Sequence, residues 1–161
     1  MVSAIEFGTQ HGSCSEAMEW RRSLSKGATQ SDAWLACERG DWLLWQLSHG
    51  LTSKQYDRQR PAILRALDRI TERAILVTHH SMVKNGVECP EWEVWAFEWV
   101  TGKIRSNCDW ADWTAEAIAG AAVSSATLAI ETDWEAVGAT ELYMQAEDIR
   151  TEIPVWPGTE D

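Results

Sequence analysis

The stretch TQSDAWLACERGDWLLWQLSHG, residues 29–50, decides the fold. Thr29 followed three residues later by Asp32 is a capping box, in which each residue's side chain satisfies the other's backbone N–H at a helix start. It predicts a short helix through Ala33, Trp34 and Cys37, with Gly40 suited to a left-handed C-terminal turn. Asp41 then caps a further helix from Trp42 to Ser48, closed by Gly50. Nothing in this stretch alternates as a strand would.

The same punctuation continues outward. Ser13 with Glu16 predicts a helix carrying Cys14, Ala17, Met18 and Leu24. Thr52 opens a long element running toward Met82, which Pro61 is expected to kink or divide and Asn85-Gly86 to end. Its residues Ile63, Leu67, Ile70, Ala74 and Val77 keep a helical period. Pro90 suits a first helical position ahead of Trp92, Trp95 and Trp99, with Gly102 as the stop. Ser106 with Asp109 precedes Trp110, Trp113, Ala117 and Ala121, and a small-residue stretch from Ala115 to Ala129 permits close helix contact. A last helix spans about Thr140 to Glu152, before Pro154. The expectation is an all-α, single-domain bundle of about six to seven helices over residues 13–153, preceded by an N-terminal segment, 1–12, and followed by a C-terminal tail, 154–161, whose last five residues read as a frayed terminus.

Composition agrees with one packed domain. A chain of 161 residues can bury about two thirds of its surface. Eleven Trp stand against two Phe and two Tyr, so the aromatic core must be built from indoles, and Trp34, Trp42, Trp45, Trp95 and Trp99 are expected in it. No apolar run reaches the roughly 18 residues a membrane span needs. No basic region followed by an apolar run marks a signal peptide in the first residues. Cys14, Cys37, Cys89 and Cys108 are widely spaced and read as reduced thiols in a cytosol, the first two in the core.

Charge is unevenly placed. Residues 1–50 hold six acids and four bases, residues 51–87 three acids and seven bases, and residues 88–161 sixteen acids and three bases, or −13. At about 100° per residue, Arg58, Arg65, Arg69 and Arg73 share one side of the long helix, opposite Leu67 and Ala74. Neighbouring like charges repel, and an arginine fork usually answers carboxylates or phosphates. The row therefore either braces the acidic C-terminal half or forms an anion-binding or partner-binding stripe.

Catalytic signatures are lacking. There is no phosphate-binding glycine loop, no H-E-x-x-H, no paired C-x-x-C and no G-x-S-x-G. His79 and His80 diverge by about 100° on a helix and are poorly placed to chelate one ion. Cys89 precedes a helix start, where a thiol pKa can fall, but no base stands near it in sequence. Arg39-Gly40-Asp41 is explained by cap chemistry. The residues predict no enzyme, no metal site and no cofactor.

The run Ala33-Trp34-x-x-Cys37-x-Arg39-Gly40-Asp41-Trp42-Leu43-Leu44-Trp45, preceded by Cys14-x-Glu16-Ala17-x-x-Trp20, resembles a family of α-helical bacteriophage and bacterial proteins labelled immunity proteins. Trp95-x-x-x-Trp99-x-x-Gly102-x-x-Arg105 and Gln145-x-x-x-Ile149-Arg150 extend the resemblance, while residues 106–140 align poorly with the longer alanine-rich region of the family. The resemblance implies a toxin-neutralising or phage accessory role in the cytoplasm of a bacterial or phage-infected cell, and carries over no catalytic residue. Together with the charge, it predicts a protein-binding inhibitor whose partner is a toxin or host enzyme. The acidic residues Glu131, Asp133, Glu135, Glu141, Glu147 and Asp148 would form the partner surface. The alternatives are a small-anion or nucleotide binder using Arg58, Arg65, Arg69 and Arg73, or a phage structural component. Direct nucleic-acid binding by the acidic face is disfavoured by phosphate repulsion, and a homo-oligomer is left open. A far-ultraviolet circular dichroism spectrum should show at least about half helix, as the summed capping and periodicity require. A β-dominated spectrum would refute the fold.

Overall fold

Three capping boxes start three of the helices. The computed structural model describes residues 2–84 and 134–159, in which the chain is all-α. Its helices are α1 (Ala4–His11), α2 (Ser15–Ser23), α3 (Gln30–Ala36), α4 (Gly40–Gly50), α5 (Ser53–Lys84) and α6 (Trp134–Glu152), with a 3-10 turn at Pro157–Thr159. Ser3 and Glu6 cap α1, Thr29 and Asp32 cap α3, and Thr52 and Gln55 do the same for α5. The first two caps lie side by side. Ser3 and Thr29 form an antiparallel bridge, Ala4 N–H donates to the Ala28 carbonyl at 2.9 Å, and Gln30 N–H donates to that of Val2 at 3.1 Å. The starts of α1 and α3 are thereby tied together.

Several boundaries differ from the sequence reading. Within the N-terminal segment 1–12, residues 4–11 form a capped helix. The Ser13–Glu16 box does not form: Cys14 is the N-cap of α2, which puts Glu16 one position too early to reach back, and Glu16 pairs with Arg39 at 2.9 Å instead. Cys14 is exposed, not in the core. Gly40 does not end α3 but opens α4, where a Cβ would stand 2.3 Å from Gln145 Cβ. Glycine is needed there for close approach to α6. Asp41 is not the cap of α4 but sits in its first turn, held by the flanking Arg39 at 2.7 Å. Pro61 does not divide α5, since its ring is exposed and the carbonyl deprived of a donor belongs to the exposed Asp57. The predicted helices starting at Pro90 and Ser106, with Trp95, Trp99, Cys89 and Cys108, lie outside the described residues.

The core fills the space between α3, α4, α5 and α6. Trp34, Leu43, Leu47, Ile70 and Ile149 are fully buried, joined by Ile63, Leu67, Ile153 and Trp156. The predicted tail thus contributes a core residue: the Trp156 ring meets Phe7 edge-on at 5.4 Å and Trp34 at 5.5 Å. Burying an indole about 150–250 Å² in area outweighs the entropy of ordering a few terminal residues. Trp42 and Trp45 pack against the edge of the core and are partly buried. Cys37 is buried, and desolvation pushes its thiol pKa up to about 11, so it is inert packing.

Trp34 is the ring on which these elements converge. Its indole N–H donates 3.1 Å to the Ile153 carbonyl, just beyond α6. Trp34→Ala should cost about 3–5 kcal/mol in a urea titration, because a large cavity forms and a buried carbonyl loses its donor. A loss under about 1 kcal/mol would mean the α3–α6 packing is not as described.

Candidate functional site: an ionic seam between α5 and α6

The arginine row and the acidic C-terminal helix meet. Residues 65, 69 and 73 advance one helical turn at a time along α5, and 152, 148 and 141 recede along one face of the antiparallel α6. Glu152 takes Arg65 Nε on one carboxylate oxygen at 2.7 Å and Arg69 on the other at 2.9 Å. Two like charges at i, i+4 are thus bridged by one acid, which removes the repulsion their spacing would create. Arg73 is held more completely. Its Nε and Nη2 fork onto the two oxygens of Glu141 at 3.1 and 3.0 Å, and Nη1 donates to Asp148.

Burial grades along the seam. The Arg65 and Arg69 side chains are half exposed, whereas Arg73 is 18% and Glu141 only 5% exposed. Gln145, itself buried, adds a donor to Glu141 at 3.2 Å. Arg65 chiefly, by its hydrogen bond, holds the Glu152 carboxyl below the usual carboxylate range. Burial draws the Arg73 pKa down, but its bonds to Glu141 and Asp148 outweigh that and leave it raised.

Of the acids expected to face a partner, Glu141 is buried against Arg73, and Asp148 is also taken up by Arg73. Glu147 is exposed and pairs with Arg150, whose other arm donates to the Cys37 carbonyl. Glu135 lies in the first turn of α6, and Glu131 and Asp133 lie outside the described residues. Arg58 is exposed on α5, about two turns before Arg65. Glu152 was missed by the sequence reading, although its spacing of eleven from Glu141 puts both on one helix face. No helix among the described residues is long and apolar enough to cross a membrane.

The seam yields a stability prediction. Arg73→Met should cost about 3–5 kcal/mol, since it strands the buried Glu141, and adding Glu141→Leu should restore much of that loss. Simple additivity of the two changes would refute the pairing. Glu152 adds a pH dependence: its pKa is depressed on folding, so its contribution is present above the unfolded value near 4.3 and lost as pH falls through the lower folded one. Acid unfolding should therefore flatten at low pH in Glu152→Gln.

Comparison of the chain with protein-family models, with curated proteins and with solved structures finds no match in any of the three.

Proposed function

We propose that this chain is a non-enzymatic protein-binding factor of the immunity type, which docks acidic surface onto the basic face of a toxin or host enzyme. The observation that supports it is the use the protein makes of its arginines. Arg39, Arg65, Arg69, Arg73 and Arg150 are all engaged by the chain's own carboxylates. In this reading the arginines of α5 mainly brace the chain itself, whose sequence carries 25 acids against 14 bases. Such an excess attracts a basic partner and accelerates encounter, while it repels nucleic-acid phosphates. The same observation counts against an anion site on the stripe, because an incoming phosphate must displace Glu152 from Arg65 and Arg69, or Glu141 and Asp148 from Arg73.

The test is affinity capture from bacterial cytosol, identification of the bound protein, and measurement of its association rate at rising salt. The on-rate should fall at least about tenfold from low salt to about 0.5 M, as exposed charges become screened. Reversing Glu131, Asp133 and Glu135 to lysine should slow association further with little change in folding stability. A partner whose binding ignores both salt and the charge reversal would overturn the acidic-surface reading.

A further inference from the structure

Two cavities open between the described helices, and they differ in that one is lined by residues with unused hydrogen-bond donors. The larger, about 550 Å³, opens between Phe7, His11, Gln30, Gly50 and Trp156. The smaller, about 330 Å³, lies between α2 and α4 and is bounded by Ser13, Trp20, Arg21, Trp42 and Gln46. Arg21 Nε, Gln46 Nε2 and Ser13 Oγ are buried atoms with no hydrogen-bond partner among the described residues. All three residues line the smaller cavity and none lines the larger.

Their orientation is forced. Arg21, 2% exposed, can only donate, and its Nη1 does so to the Ala4 carbonyl at 3.1 Å and to Gln30 Oε1 at 2.8 Å. Gln30 must then turn its amide nitrogen toward Gln46, whose Oε1 accepts at 2.6 Å. Gln46 is fully buried and has only its N–H groups left to present. The relay runs from charge to donor: because Arg21 cannot accept, Gln46 is left with N–H groups to donate, at a residue that lines the cavity. No carboxylate among the described residues pairs with Arg21. Its guanidinium lies 5.2 Å from the Phe7 ring centroid and 5.8 Å from that of Trp20.

We propose that this cavity binds a small monocarboxylate with a flat apolar body, its carboxylate received by Arg21 Nε, Gln46 Nε2 and Ser13 Oγ. An acceptor-only anion satisfies two obligate donors and a hydroxyl at once, and supplies the charge that the buried guanidinium lacks. The apolar body is called for by the remaining wall, where the Trp20 and Trp42 rings stand 5.4 Å apart. A single negative charge is selected because Glu16 and Asp41 line the same cavity and would repel a second. Both acids are held by Arg39, whose guanidinium lies 4.4 Å over Trp42. The volume falls in the lower part of the roughly 300–1,000 Å³ usual for small-molecule sites. This site is independent of the protein-binding role and uses none of its residues.

Calorimetric titration with indole-3-acetate and benzoate tests it, with indole-3-acetamide and sulfate as controls. One carboxylate or both should bind saturably with submillimolar affinity, and the amide and sulfate at least about tenfold more weakly. In a nitrogen-15 spectrum, the Arg21 Nε–H resonance should shift in step with binding. Gln46→Glu keeps the acceptor that Gln30 uses but replaces the donor by an anionic oxygen, so it should lose at least about tenfold in carboxylate affinity while its circular dichroism is retained. Trp42→Ala should weaken binding without abolishing the preference for the acid over the amide. No saturation by either carboxylate up to about 10 mM, equal binding of the amide or sulfate, or binding that leaves the Arg21 resonance unmoved would each overturn the proposal.

Discussion

Arg73 reaches from α5 into a fork of Glu141 and an arm of Asp148, and the placement of α6 depends on that contact. A helix with Glu141 and Gln145 on its buried side would ordinarily be expelled from a core. Here the carboxylate is neutralised by a guanidinium and further bonded by Gln145, so α6 can press Ala146 and Ile149, with Ile153 just after it, into the core. The residual exposure of Arg73, 18%, matters. The arginine keeps part of its hydration, which lowers the desolvation cost that often makes a fully buried pair a poor source of stability.

That contact also explains how far the chain could be read before its structure. The α3 cap, the long helix after Thr52 and the helix before Pro154 were legible because each depends on neighbours within a few residues. Both arginine readings were legible as well, since three arginines at one-turn spacing demand anions. What sequence could not show was which anions. Acid counts alone made the C-terminal half look like one outward surface. The direction of Glu141 depends instead on the register of α6 against α5, and that is set by Ile149 and Ile153 filling space beside Trp34. Gly40 and Ser13 failed for a related reason. Local rules assign a glycine to a turn and a Ser-x-x-Glu to a cap, but a neighbouring helix at Gly40 and a one-residue shift at Cys14 took precedence.

The polar residues inside the N-terminal half follow a different logic. Arg21, Gln30 and Gln46 stand at positions where helical period alone would place leucines, and each belongs to a different helix. Apolar residues of similar volume could pack there in several ways. A donor-only guanidinium linked through two amides admits one arrangement, so the network fixes how α2, α3 and α4 meet as well as holding them together.

The seam and this network are mechanically joined through α4. Its first residue, Gly40, lies against Gln145, and Arg150 of α6 bonds the Cys37 carbonyl just before it. Gln145 is in turn the residue that donates to Glu141 beneath Arg73. The N-terminal end of α4 is therefore positioned from the α6 side by Arg150 and by Gln145, the second of which also supports the ionic seam. On its other face, α4 carries Asp41, Trp42 and Gln46 to the smaller cavity. A slip of α6 by one turn, about 5.4 Å, would remove Gln145 from Gly40 and require α4 to move with it. The geometry of the cavity is thus inherited in part from a salt bridge made by the helix that packs against the other side of α4.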